Sequence, residues 1–305
     1  MRKKVNIYKL LKTTGNQFLG DHGIKLSASL SYYTIFALLP LIIVVMSIIG
    51  FFFGHDATQG KIYGQIHETV GSAAAIEIQD IIKKIEAAHH TFAGTIVGII
   101  ILILGATGVF EEIQDSINFI WCIKAKPKNG WLKIIMNRLL SFGLVVSLGF
   151  VLLVSLLVNS IMDLFNDRLQ FLFADATLQI LYFVNMIMMF LIITVMFAVI
   201  FKVLPDAKIK WKDSFIGACF TAFLFMIGKF VIGYYIASSN LDATYGAAAT
   251  LMIVLLWVYY SSVILFFGAE FTQVYATHYG GGVKPYDTAV FIVKQEVREI
   301  AAVEL

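Results

Sequence analysis

Residues 94–121, GTIVGIIILILGATGVFEEIQDSINFIW, pass from an uninterrupted apolar run into a run of acids and amides with no helix breaker between the two. The first half suits lipid on every side, and the second half does not. As one helix the stretch extends about 42 Å, more than the roughly 30 Å of a bilayer's hydrocarbon core, so it reaches or crosses an interface. At about 100° per residue, Val109, Phe110, Ile113, Ile117 and Ile120 fall on one side, and Glu111, Gln114, Asp115 and Asn118 on the other. Two readings stay open: a helix end emerging into water, or a helix still in the membrane whose polar side faces a wet protein interior.

The surrounding chain sets the context. Of 305 residues, 59% are apolar and only 14% charged, against about 25% charged in soluble domains. The composition therefore predicts an all-α integral membrane protein. Apolar segments long enough to cross a bilayer lie at about 27–53, 92–121, 138–161, 177–203, 213–237 and 246–276, the first with Pro40 inside it. With six transmembrane helices both termini share a side. Eighteen Lys or Arg lie on that side and four on the other, with Lys229 inside a span, so the positive-inside rule makes both termini cytoplasmic.

A basic arm, residues 1–26, precedes the six-helix membrane domain, 27–279, and residues 280–305 form a cytoplasmic tail. The arm carries Arg2, Lys3, Lys4, Lys9, Lys12 and Lys25 among apolar residues at rough helical spacing, which suits a helix lying on an anionic membrane face. Between spans one and two, AAAIEIQDIIKKIEAA places Ile78, Ile81, Ile82 and Ile85 on one face and predicts an amphipathic external helix. Gly280-Gly281-Gly282 reads as a hinge-like break before a short helical tail. Cys122 and Cys219 both fall near the cytoplasmic side, where packing is their expected role.

Polar residues within or near the spans are the candidate functional groups. Ser27, Ser31 and Tyr32 on the first span, Glu111, Gln114, Asp115 and Asn118 on the second, and Glu270 on the sixth occupy one cytoplasmic level, with Arg138 as a counter-charge. They line a polar cavity open to the cytoplasm or are solvated helix ends. Lys229 lies about 12 Å below the outer end of its span, further than its roughly 6 Å stem can snorkel, and Asn185 at similar depth is its best-placed partner, with a structural pairing and a substrate or ion contact both open. Small-residue notches at Gly94 with Gly98, Gly143 with Ser147, and Gly246 with Thr250 suit close helix packing.

No metal site, cofactor or catalytic residue is expected. The six histidines lack ligand spacing, and no phosphate loop, nucleophile elbow or HExxH motif occurs. Basic residues sit where topology requires them and do not argue for nucleic acid.

The segments SASLSYYTIFALLPLI, GATGVFEEIQDSINFIW, the LP and KIKW link at 204–211, and YGAAATLMIVLLWVYYSSVILFFGAEFTQ together resemble the YihY/BrkB family of bacterial inner-membrane proteins. The resemblance covers about residues 20–280 and implies a multi-pass protein of the bacterial cytoplasmic membrane with six helices. The family carries an old label as a transfer-RNA-processing ribonuclease. A metal ribonuclease needs clustered His and Asp ligands, which this chain lacks, so that activity is not expected.

The leading functional expectation is a transporter or lipid-translocating protein, with membrane lipids as partners and an anionic lipid or small molecule as substrate, in a monomer or oligomer. The alternative is a non-catalytic envelope scaffold or regulatory protein. An intramembrane enzyme ranks third.

Overall fold

The computed structural model describes residues 6–37, 108–126, 176–239 and 249–293. The expected span at 138–161 and the external helix at 54–91 lie outside these residues, as do Pro40, Arg138, the outer parts of the first two spans and residues 294–305. The described elements, in order, are α1 (Ile7–Gly20), α2 (23–37), α3 (108–120), β1 (Ile123–Ala125), α4 (Ala176–Val203), β2 (Ala207–Lys208), α5 (Trp211–Ser238), α6 (Ala249–His278), β3 (Lys284–Pro285) and β4 (Ala289–Phe291). The described residues are mostly helical, but among them the all-α expectation needs amending by two small antiparallel strand pairs.

Among the described residues, three helices are long and apolar enough to cross a membrane, at Met186–Val203, Trp211–Tyr235 and Met252–His278. They coincide with the fourth, fifth and sixth expected spans. The buried share of these windows is 33%, 33% and 39%, and exposed large apolar side chains are concentrated on α4 and α5. Phe183, Ile187, Phe223, Ile227, Phe230, Val231 and Tyr234 are among them. Such a surface is compatible with lipid as solvent and not with water.

Helix α5 packs between α4 and α6. A five-residue repeat sets the second contact: Gly217-Ala218-Cys219-Phe220-Thr221 on α5 and Gly268-Ala269-Glu270-Phe271-Thr272 on α6 differ only at their third residue. The helices run antiparallel, so the two copies meet about a local two-fold axis. A Cβ at Gly217 would overlap the Thr272 side chain, and a Cβ at Gly268 would overlap Thr221. Each glycine is thus the notch for the threonine opposite. Both threonines donate to the glycine carbonyl of their own helix, at 2.7 Å for Thr221 and 2.6 Å for Thr272. Phe220 and Phe271 stack across the axis with centroids 3.9 Å apart, and Ala218 and Ala269 are fully buried.

At the other contact, Ser214 of α5 donates to the Ala198 carbonyl of α4 at 2.9 Å, beside buried Phe197 and Phe201. A hydroxyl that leaves its own helix for a neighbour's backbone fixes the relative height of the two helices as well as their contact.

One end of this layer carries the strands. β1 pairs with β4 in the register Ile123↔Phe291, and β2 pairs with β3 in the register Ala207↔Pro285. The segment after α6 is therefore tied to the links that follow α3 and α4, and the two strand pairs form a collar at the end where α3 and α4 stop and α5 begins. Gly280–Gly282 belong to this tie and are not a loose break. Gly282 takes φ +75° and its N–H caps the Ala276 carbonyl of α6 at 2.8 Å, while Gly281 N–H donates to Asp213 Oδ2 at 2.7 Å. A positive φ costs glycine little, which is why it serves at a helix C-terminus.

α1 starts at Asn6, whose side chain accepts from Lys9 N–H at 3.0 Å, a helix N-cap. Its buried stripe, Leu10, Thr14 and Phe18, faces the collar half of α6: Leu10 joins Phe271 and Val274, and Phe18 meets Phe267 edge-on at 5.5 Å. The basic arm is therefore docked on the bundle by one face, while Ile7, Tyr8, Leu11 and Leu19 stay exposed on others. Leu10→Ala is expected to weaken this docking by about 2–3 kcal/mol. Amide exchange should then rise in residues 7–20 and stay unchanged in α4–α6; equal loosening of all four helices would contradict the local account.

Candidate functional site

Helix α3 carries the polar stripe of the opening sequence, and it is divided between two environments. Phe110, Ile117, Ile120 and Trp121 are buried, with Val109 and Ile113 packed against the same core. Of the polar residues, Glu111 and Asp115 are exposed, whereas Gln114 and Asn118 are buried. Residues 114 and 118 are one turn apart and so share a narrow stripe flanking the apolar one. The helix ends at Cys122, whose φ of +56° turns the chain into β1.

The buried amides meet Asp206, which follows Leu204-Pro205 in the link from α4 to β2. Asn118 Nδ2 donates to Asp206 Oδ2 at 3.0 Å, and Asn118 Oδ1 accepts from Asp206 N–H at 2.8 Å. Gln114 Nε2 lies 3.4 Å from the same carboxylate oxygen, and the Asp206 carbonyl accepts from Tyr286 N–H at 3.1 Å. One residue thus ties α3, the α4–α5 link and the β3–β4 turn together. An amide is the group for this, since it donates to the carboxylate and accepts from the backbone at once.

Lys202, on the last turn of α4, donates to the Ile209 carbonyl and lies 5.8 Å from the Trp211 ring centroid. Lys208 makes an exposed 3.4 Å pair with Asp287 and sits over Tyr286 at 5.7 Å. In this lysine-rich link Asp206 is the one acid, directly after a proline at a helix exit. That isolated acid was the available sequence signal for the tie, and charge counting for topology passes over it.

Across the bundle, Trp121 Nε1 donates to the Ala269 carbonyl at 3.0 Å. The next residue, Glu270, is 1% exposed. It occupies the third position of the repeat, where α5 carries Cys219, so the α5–α6 packing does not itself demand a carboxylate there. Glu270 and Asp115 each engage a further polar, aromatic or electrostatic neighbour.

The remaining nominated residues are distributed as follows. Ser27 and Ser31 are buried, and both hydroxyls donate at 2.7 Å to carbonyls four residues back, on Gly23 and Ser27. Tyr32 is exposed and packs on Phe36 and Tyr33. On α6, two turns before Glu270, Ser262 donates in the same way to the Val258 carbonyl of its own helix. Among the described residues, no three His, Cys, Asp or Glu side chains group as metal ligands.

Away from the collar, α4 and α5 enclose a groove of about 200 Å³ lined by Met186, Met189, Ile193, Phe225, Met226, Lys229 and Phe230. Lys229 makes no ion pair or hydrogen bond among the described residues. The side chain of Asn185, its expected partner, lies outside them.

In sequence the chain is similar to known membrane proteins. The chain is 30% identical over 262 residues to a UPF0761 membrane protein of Azotobacter vinelandii, covering 83% of this chain and 60% of the relative. Identity to a UPF0761 membrane protein of Teredinibacter turnerae is 27% over 253 residues, 83% of this chain and 56% of that protein. A Haemophilus influenzae UPF0761 membrane protein matches at 26% over 248 residues, 81% of this chain and 87% of the relative. The chain thus spans little more than half the length of several of the curated relatives that it matches. No solved structure matches it. The family model described as virulence factor BrkB matches residues 14–289, nearly the whole chain, and together with the long apolar helices it makes this protein a membrane protein of the BrkB family.

Proposed function

We propose that the protein is a multi-pass transporter or lipid-translocating protein of the bacterial cytoplasmic membrane, with six spans and the collar on the cytoplasmic side. The observation that carries this is Glu270: a carboxylate buried to 1% exposure on a membrane-long helix, at the one position of an interhelical repeat where packing leaves the residue type open. Ionisable groups inside membrane helices are costly and mark substrate, ion or proton pathways. Lysines on or next to the collar links, at positions 124, 126, 202, 208, 210 and 212, support the cytoplasmic assignment of that end.

The protein acts without a catalytic step in this proposal, and membrane lipids or an anionic solute are the cargo. The test is transport by the purified full chain in liposomes loaded with labelled lipid or candidate solutes. Glu270→Gln is expected to lower the rate about tenfold or more while leaving the melting temperature within a few degrees. Transport at an unchanged rate would remove Glu270 from the pathway.

A second proposal, an envelope scaffold, draws on the hydroxyls. Ser27, Ser31 and Ser262 bond within their own helices, and Asp206 takes up Gln114 and Asn118, so these groups serve packing. It predicts that disrupting the collar abolishes the cellular phenotype while Glu270→Gln does not.

A further inference from the structure

We propose that the groove between α4 and α5 binds one anionic phospholipid, with an acyl chain lying along Met186, Met189, Phe225 and Met226 and the phosphate held by Lys229. Of the lining residues, Met186, Met189 and Phe230 are exposed beside Ile187 and Val231 on two helices long enough to cross a membrane, so a lipid tail suits this surface. Three methionines among the lining residues make a wall of unbranched, adaptable side chains, which suits a flexible chain better than a rigid ligand.

Charge selects the headgroup. Lys229 lies about 7 Å from the midpoint of α5 toward the end remote from the collar, and its stem adds about 6 Å, so the ammonium falls just short of the edge of a hydrocarbon half-layer of roughly 15 Å. The Cα–Cβ bonds of a helix tilt toward its N-terminus, which for α5 is the collar end, so reaching outward works against the geometry of the side chain. An exposed ammonium at this depth, with no ion pair among the described residues, is stabilised by an anion that comes to it. A phosphate descending slightly along the groove supplies that anion and several acceptor oxygens. A net negative headgroup is preferred over a zwitterionic one because a choline or ethanolamine cation beside the phosphate competes with Lys229.

The existence of the site follows from the groove, and its role as a resting place for cargo rests on the proposed transport function. The test is native mass spectrometry of the full chain taken from nanodiscs of phosphatidylcholine containing increasing phosphatidylglycerol. One phosphatidylglycerol per chain should be retained in preference to phosphatidylcholine. Lys229→Met should reduce that preference about tenfold, and Lys229→Arg should keep it. Met226→Trp, which fills the groove, should lower retention of both lipids.

Unaltered preference in Lys229→Met would overturn the proposal, as would an equal loss in a Lys12→Met control on the basic arm. Retention that is lost on Lys229→Met in vesicles that translocate nothing would leave the site standing and remove the transport function. Translocation alongside unchanged preference in Lys229→Met would do the reverse.

Discussion

Gly217→Val and Gly268→Val are each expected to destabilise the protein by about 3 kcal/mol or more. The physical cause is overpacking at a backbone notch. Thr272 fills the space over Gly217 and Thr221 the space over Gly268, and neither threonine can rotate away freely, because each hydroxyl is bonded to its own helix. A β-branched side chain must separate α5 from α6, which also breaks the Phe220–Phe271 stack. Thermal unfolding in detergent measures the loss. The local two-fold makes a sharper demand: the two glycine substitutions should cost similar amounts, and Gly217→Ala should be partly rescued by Thr272→Gly but not by Thr221→Gly. Equal rescue by either threonine change would contradict the pairing.

Asn118→Leu is expected to cost about 2–4 kcal/mol, because it removes both hydrogen bonds to Asp206 and leaves a part-buried N–H and carboxylate oxygen without those partners. The loss should concentrate at the collar, seen as faster amide exchange in residues 204–210 and 284–291. Asn118→Asp separates charge from shape. It places a second carboxylate against Asp206, and the repulsion raises the pKa of the introduced group in the folded state. A raised folded pKa means that stability is present at low pH and is lost as pH rises through that value. The variant should therefore approach the parent in melting temperature near pH 4 and fall well below it at pH 7. A pH-independent deficit would point to lost packing alone.

These two sites differ in how far they were legible beforehand. The stretch at 94–121 announced an amphipathic end for α3, and Phe110, Ile117 and Ile120 are buried as its periodicity implies. The same periodicity placed Glu111, Gln114, Asp115 and Asn118 together, and the structure separates them into an exposed pair and a buried pair. Helical phase gives an angle around the axis; whether that angle meets water or a neighbour depends on where the α4–α5 link passes. Asp206, eighty-eight residues from Asn118 along the chain, decides that.

The glycine notches teach a related lesson. Gly217 with Thr221, and Gly268 with Thr272, were present as a repeated small-xxx-small pattern, yet nothing within either segment says that it faces the other. The Gly280–Gly282 turn also looked like a break, because glycine permits freedom and close approach alike, and only the cap on Ala276 and the Asp213 contact distinguish them.

Composition and run length by themselves determined that the chain is a membrane protein and where α4, α5 and α6 lie, because a bilayer imposes its thickness on every crossing helix independently of its neighbours. The tertiary structure alone decided which faces meet, that α1 docks on α6, and that the links after α3, α4 and α6 close into a collar. Those contacts join residues far apart in the chain, where each surface is complementary only to another that local pattern cannot name.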